Sequence, residues 1–220
     1  MALLNNSNRI TKELSLHDGV LKTNGALVSM QISAGWAASM SAKSIHPGLP
    51  SETFITFKKD PSSKTSFGIF FSGQILEEFD GQLRKEELFD RAVNLKAGSA
   101  EATRLVETEG ALANVTHLRN ALLSAGRHAV QSEEKDCLAV KTSDFNGLKA
   151  AIFEFQNERT GTKAVEYCLD VLGNGTVVYS LYYRAPIETF ADEMDAAISA
   201  FRSTIWRQDF DPMKNLEPVD

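Results

Sequence analysis

The chain has 220 residues, of which 43% are hydrophobic and 24% charged, and these fractions are ordinary for one globular domain or two small ones. A formal net charge of −6 argues against a general surface for nucleic acids or anionic membranes. No run of about 18 apolar residues occurs, so the sequence predicts no membrane-spanning helix. The first residues lack the basic start and apolar core of a signal peptide. We therefore expect a cytoplasmic location, with a periplasmic one as the alternative if a signal peptide has been removed.

The first third of the chain predicts an arm followed by strands. Residues 1–24 are polar and weakly periodic, and we expect a loose arm or an added strand there. A first strand is predicted over 26–33. A β-hairpin follows, because the aromatic-rich runs 53–58 and 67–72 flank a polar loop that is typical of an exposed tip.

The middle of the chain predicts a helical insertion over 74–126. Residues 83–95 carry apolar side chains at helical spacing opposite charged ones, which indicates a surface helix with one buried stripe. Ser99 suits the N-cap of a longer helical region, and Gly126 is a stop signal at its end. Strand patterning then returns over 128–141.

Residues 147–207 predict three strands and a closing helix. The runs 148–156 and 163–171 alternate apolar and polar side chains, whereas 176–184 is apolar on both faces, as expected of a central strand. The period then changes from two to 3.6, and such a stripe must fold back onto the sheet. The apolar stripe consists of Ile187, Phe190, Met194, Ala197, Ile198, Phe201 and Ile205.

No stretch encodes recognisable catalytic chemistry. The sequence contains no Walker A, GxSxG, HExxH or CxxC motif, and its four histidines are scattered at spacings that common metal sites do not use. Glu154 and Glu166 lie on neighbouring predicted strands and invite a paired-carboxylate interpretation. With Lys149 and Lys163 nearby, cross-strand ion pairing is the default. We expect no cofactor, no metal site and no enzyme activity.

The two cysteines, Cys137 and Cys168, lie far apart in sequence and do not form a disulfide framework. Cys168 lies in the middle of a predicted strand and is expected to be a small buried residue. A functional hypothesis is that the Cys137 thiol pairs with the His128 imidazole, nine residues earlier in the chain. Proximity in sequence does not indicate whether the two side chains meet.

Two stretches resemble the PsbP-like family. Residues 32–36, reading Ile-Ser-Ala-Gly-Trp, are similar to its strand followed by Gly-Trp. Residues 179–201 are similar to its terminal strand, Ala-Pro corner and closing helix. The resemblance implies an α+β fold: a single twisted, largely antiparallel β-sheet with helices packed on its faces, an α/β/α sandwich. We expect one such domain over 25–207, followed by a mobile tail over 208–220.

That family includes extrinsic photosystem proteins, a nuclear-transport relative that binds a small GTPase, and bacterial adaptors that hold effectors for type VI secretion. Because the fold hosts unrelated roles, the resemblance implies a non-enzymatic protein-binding accessory module rather than any chemistry. A bacterial secretion-associated adaptor, with a chaperone-like holding role, or an immunity-type protein is the first expectation. One alternative is a small-ligand carrier or enzyme with a pocket between the sheet and the insertion 74–126. Another is a structural subunit of a larger assembly.

The absence of a basic patch implies that a protein partner is bound through apolar anchors with a polar rim. Trp36 is one candidate anchor, although the resemblance implies that it packs inward. The hairpin is the better candidate, through whichever of Phe57 and Phe70 the sheet leaves exposed. The alternative is that these aromatic residues are core, since aromatic side chains dominate buried area.

Overall fold

The structure is a computed structural model that describes residues 10–23, 25–43, 52–74, 136–173 and 177–210. Within these ranges the helical segments are a 3₁₀ turn at Ile187–Thr189 and one α-helix, α1 (Met194–Arg202). Its strands are β1 (Ile10–Leu14), β2 (Val20–Lys22), β3 (Leu27–Gln31), β4 (Ala37–Lys43), β5 (Glu52–Lys58), β6 (Ser66–Gln74), β7 (Asp136–Phe145), β8 (Leu148–Asn157), β9 (Thr162–Asp170), β10 (Val177–Pro186) and β11 (Ile205–Trp206).

Eight of these strands form one antiparallel sheet in the order β1-β4-β5-β6-β10-β9-β8-β7. The predicted hairpin β5–β6 and the predicted meander β8–β9–β10 are confirmed, with bounds within one or two residues of the expected ones. β1 and β2 show that residues 10–22 add strands to the two sheets. The helical insertion predicted over 74–126 lies outside the described residues, apart from Gln74 at the end of β6.

β10 is the central strand that its composition predicts. It pairs with β6 on one side and β9 on the other, and Ser180, Leu181 and Tyr183 are buried although they point to different faces. Burial on both faces accounts for the nearly continuous run of β-branched and aromatic residues in this strand.

α1 packs on one face of the large sheet, which we call the helix face. Phe201 lies edge-on to Phe67 of β6 and Tyr167 of β9, with ring centroids 5.9 and 6.0 Å apart. The fold is therefore a largely antiparallel sheet with a helix packed against it. The two helical layers of the predicted sandwich are not seen among the described residues, where α1 lies on the helix face alone.

The closing helix is shorter than the apolar stripe predicted. It ends at Arg202, because the Ser203 and Thr204 hydroxyls donate to the carbonyls of Ala200 and Phe201, at 2.6 and 2.8 Å, and satisfy the last turn. Ile205, predicted to continue the stripe, instead begins β11.

β11 belongs to a second, three-stranded sheet in the order β11-β3-β2. Its inner side carries Leu21 and Met30, which are buried in the main core. Phe210, beyond the predicted domain end at 207, is 3% exposed, so the packed core reaches at least that residue.

Candidate functional site

The three predicted partner anchors are core residues. Phe57 is 0% exposed and stacks on Phe67 at 4.8 Å, and Phe70 is 5% exposed and stacks on Phe54 at 5.0 Å. Trp36 is 5% exposed and lies edge-on to Phe67 at 4.6 Å. In this conformation none of them offers surface to a partner. The expectation that Phe57 or Phe70 is an exposed anchor is corrected, because the pleat places them on opposite faces and each side chain is buried on its own face.

Trp36 closes one end of the helix face. The Lys59 ammonium lies 5.5 Å from the centroid of the Trp36 ring and is also ion-paired with Glu193, in the segment before α1. The loop between β5 and β6 is thereby tied to the start of the closing helix, with the indole beneath the contact. Inward packing of Trp36 is what the family resemblance implied.

The face opposite the helix carries a row of polar side chains across β9 and β10. Cys168 is fully buried, with its Sγ 3.3 Å from the Ser180 Oγ and 3.5 Å from a Glu166 carboxylate oxygen. Burial raises the pKa of the Cys168 thiol well above its ordinary value, and the neighbouring Glu166 charge raises it further. A thiol held protonated in this way is a poor nucleophile. Cys168 therefore has the chemistry of a hydrogen-bonded buried group.

Cys168 is accordingly expected to resist thiol reagents in the folded protein. In a Cys137→Ser background, a disulfide reagent should label Cys168 only as fast as the protein unfolds, and at once in denaturant. The labelling rate with and without denaturant is the measurement. Labelling of the native protein at the rate of an exposed cysteine would contradict the assignment of this thiol as a buried structural group.

The paired-carboxylate interpretation is wrong for Glu154 and Glu166. The register places Glu154 opposite Val165 and Glu166 opposite Phe153, so the two carboxylates project from different faces of the sheet. Glu154 instead lies 3.4 Å from Lys163, which is the cross-strand ion pair expected by default. Within the described ranges, no group of three or more His, Cys, Asp or Glu residues is arranged to hold a metal ion.

The outer face of the three-stranded sheet is the remaining candidate site, and we call it the Ile205 face. Ile205 is 58% exposed, and it is the one large hydrophobic residue that is exposed among those whose side chains the structure describes. It lies directly opposite Ser29, which lies directly opposite Lys22. Val20 and Gln31 form the next row on the same side.

Side-chain hydrogen bonds hold β11 in place. The Ser203 hydroxyl accepts the backbone N–H of Gln31 at 2.8 Å, which joins the end of α1 to β3. The Trp206 indole N–H donates to the Thr204 hydroxyl at 3.1 Å, and the ring packs on Tyr179 at 5.2 Å. Since Trp206 is held against the core, its neighbour Ile205 is presented outward on an ordered strand.

Three cationic residues lie near Ile205 along the chain or in the sheet register. Lys22 and Arg202 are exposed, and Arg207 is half-buried. The Arg207 backbone N–H donates to the carbonyl of Ala26 at 2.8 Å, so the chain continues alongside β3 beyond β11. Among the described residues, no ion pair engages any of these three cations. The arrangement combines an apolar centre with uncompensated positive charge, in a chain whose net charge is −6.

No family model matches the chain, and no curated protein matches its sequence. Among solved structures, it is similar to the solution structure of cyanobacterial PsbP (CyanoP) from Synechocystis sp. PCC 6803. The sequence identity is 9% and the TM-score 0.42, with 94% of this chain and 97% of that chain covered. This neighbour bears the name of the family that the sequence resembles. At this identity and TM-score the likeness carries no conclusion about function.

Sequence reasoning missed the Ile205 face because it placed Ile205 on the helix stripe. The sequence does contain a signal that the helix ends before Ile205. Ser203 and Thr204 are two adjacent hydroxyl residues, whose side chains can bond to the backbone at a helix end, and Ile-Trp follows them. No local pattern reveals that Ile205 and Trp206 pair with β3, some 175 positions earlier in the chain.

No helix in the described part of the chain is long and apolar enough to cross a membrane.

Proposed function

We propose that this protein is a non-enzymatic accessory module that binds a protein partner through the Ile205 face. The observation that carries the proposal is the 58% exposure of Ile205 on a strand held by Ser203 and Trp206. Single exposed aliphatic residues are common on protein surfaces. Ile205 differs because its strand is held by the hydrogen bonds of Ser203 and Trp206 and because Lys22 lies in its cross-strand row, which is the anatomy of an apolar anchor with a polar rim.

The chemistry of the other candidate region supports a binding role over catalysis. The polar row at Cys168 has a protonated, buried thiol, and the carboxylates of Glu154 and Glu166 lie on opposite faces. Neither arrangement supplies an activated nucleophile beside a general base. An adaptor or immunity-type role, in which the module holds a second protein, is the version of this function that we propose.

Ile205→Lys is expected to abolish partner retention while leaving the thermal midpoint within a few degrees of the wild-type value. Burial of the exposed part of Ile205 contributes about 1–2 kcal/mol, and a buried lysine at the same place adds a desolvation penalty. The measurement is affinity purification from the native source, followed by titration of the recovered, purified partner against each variant. Ile205→Val preserves most of the apolar surface and should retain the partner.

Thr189→Lys is the matched charge control, because it adds the same charge at an exposed position in the 3₁₀ turn. Equal partner affinity for wild type, Thr189→Lys and Ile205→Lys would remove this face from the proposal. The proposal as a whole would be overturned if no partner were recovered and the pure protein turned over a small substrate.

A further inference from the structure

Resting on the proposed function, we infer that the partner of the Ile205 face is an acidic protein segment that presents an apolar side chain between carboxylates. The inference goes beyond the existence of a binding face to the chemistry of what it binds. It depends on how Lys22, Arg202 and Arg207 are distributed around Ile205.

Lys22 lies in the same cross-strand row as Ile205. Ser29 separates them, and two strand spacings place their Cα atoms roughly 10 Å apart. A partner side chain that covers Ile205 therefore brings its flanking residues within reach of the Lys22 ammonium. Because Ser29 is small and polar, nothing in the intervening position competes for a carboxylate by charge.

Arg202 and Arg207 bracket Ile205 along the chain. Arg202 is the last residue of α1, and its backbone carbonyl accepts a hydrogen bond of 2.7 Å from the Asn146 side-chain amide. Arg207 is fixed through the backbone bond to Ala26. The backbones of both cations thus lie within three residues of the anchor, and neither side chain forms an ion pair within the described ranges. The Arg202 charge also acts on the Tyr167 side chain, whose pKa it lowers against the larger effect of burial.

The remaining positive charge in the described residues is partly used elsewhere. Lys59 is paired with Glu193, and Lys163 with Glu154. In a chain with 29 acidic and 23 basic residues, three cations near one exposed isoleucine form no ion pair among the described residues. Complementary charge steers association and fixes register at an interface, so the partner is expected to be negative where it meets this face.

Two other anionic occupants fit the face less well. Nucleic acid binding rests on many phosphate contacts and on aromatic stacking, and an isoleucine with three cations supplies neither in a chain of net charge −6. Stable membrane attachment requires a larger buried apolar area than one aliphatic side chain. A protein segment matches both the size of the anchor and the spacing of the charges.

The test uses the full chain as bait for a phage-displayed library of random linear peptides, with counter-selection against Ile205→Lys. Peptides enriched in Asp and Glu around an aliphatic or aromatic residue are the expected result. Lys22→Glu should weaken the selected peptide about tenfold or more, and added salt should weaken it further. Lys64→Glu makes the same charge change at an exposed loop position and should leave the affinity unchanged.

Other results would overturn the inference in distinguishable ways. The selected peptides could instead be apolar and either uncharged or basic, with no effect of Lys22→Glu on their affinity. That result would contradict an acidic partner but would still support the Ile205 face as a binding site. If no peptide were enriched on the wild-type bait over the Ile205→Lys bait, both the acidic partner and the Ile205 face as a binding site would be rejected. Binding of wild type to anionic phospholipid vesicles, lost in Lys22→Glu, would reassign the face to a membrane surface.

Discussion

Phe201→Ala is expected to lower the free energy of unfolding by about 3–5 kcal/mol. Phe201 is fully buried in the last turn of α1 and makes edge contacts with Phe67 and Tyr167, which belong to two different strands of the large sheet. Truncation removes the apolar surface and leaves a cavity between helix and sheet, and both contribute to the loss. Denaturant unfolding monitored by circular dichroism measures the change.

Ser199→Ala is the matched control for this truncation, because Ser199 is an exposed position in the same helix. Its effect should stay within about 0.5 kcal/mol, as for most surface substitutions. A loss below about 1 kcal/mol for Phe201→Ala would mean that α1 does not pack on the sheet as described.

Gly68→Ala is expected to cost about 3 kcal/mol or more, at the upper end of what an added methyl group does in a packed interior. A Cβ at Gly68 would lie 2.2 Å from the Ile55 carbonyl oxygen and 2.8 Å from a ring carbon of Tyr182. The Tyr182 ring passes over this glycine, and its hydroxyl lies 3.0 Å from the Thr56 hydroxyl on β5. Relief of the clash requires displacing sheet backbone, a ring and a hydrogen bond together.

Gly25→Ala is the comparison variant, since a Cβ there would have only the Thr23 hydroxyl near it, at 3.7 Å. Its effect should be below about 1 kcal/mol. If the two alanine variants had the same midpoint in a thermal melt, the close approach of β5, β6 and Tyr182 at Gly68 would be wrong.

The sequence predicted the elements whose patterns are local. β8, β9 and β10 alternate cleanly or are apolar throughout, and polar turns separate them, so neither period nor bounds were ambiguous. β4 was missed because Ala37–Lys43 consists mostly of Ala and Ser, which carry no β-branched or aromatic signal. Its place in the sheet is decided by pairing with β5 and β1, which no window of local sequence contains.

The candidate site was harder to predict for the same reason. Phe57 and Phe70 looked like anchors because the hairpin is rich in aromatic residues, but both are buried, and the burial of such side chains depends on contacts with distant parts of the chain. Ile205 looked like core because it continues a helical period, and only the long-range pairing with β3 turns it outward. Sequence periodicity predicts which side of a helix or strand a residue lies on. Whether that side is buried or exposed depends on long-range pairing with other elements.

Amide hydrogen exchange of the free and partner-bound protein can show directly whether, as proposed, a protein partner covers the Ile205 face. Slower exchange on binding is expected over residues 20–22, 28–31 and 203–207, with the hairpin β5–β6 unchanged. The same experiment with Ile205→Lys should show no difference between samples with and without the partner. Slower exchange confined to other strands, with residues 203–207 unaffected, would contradict the claim.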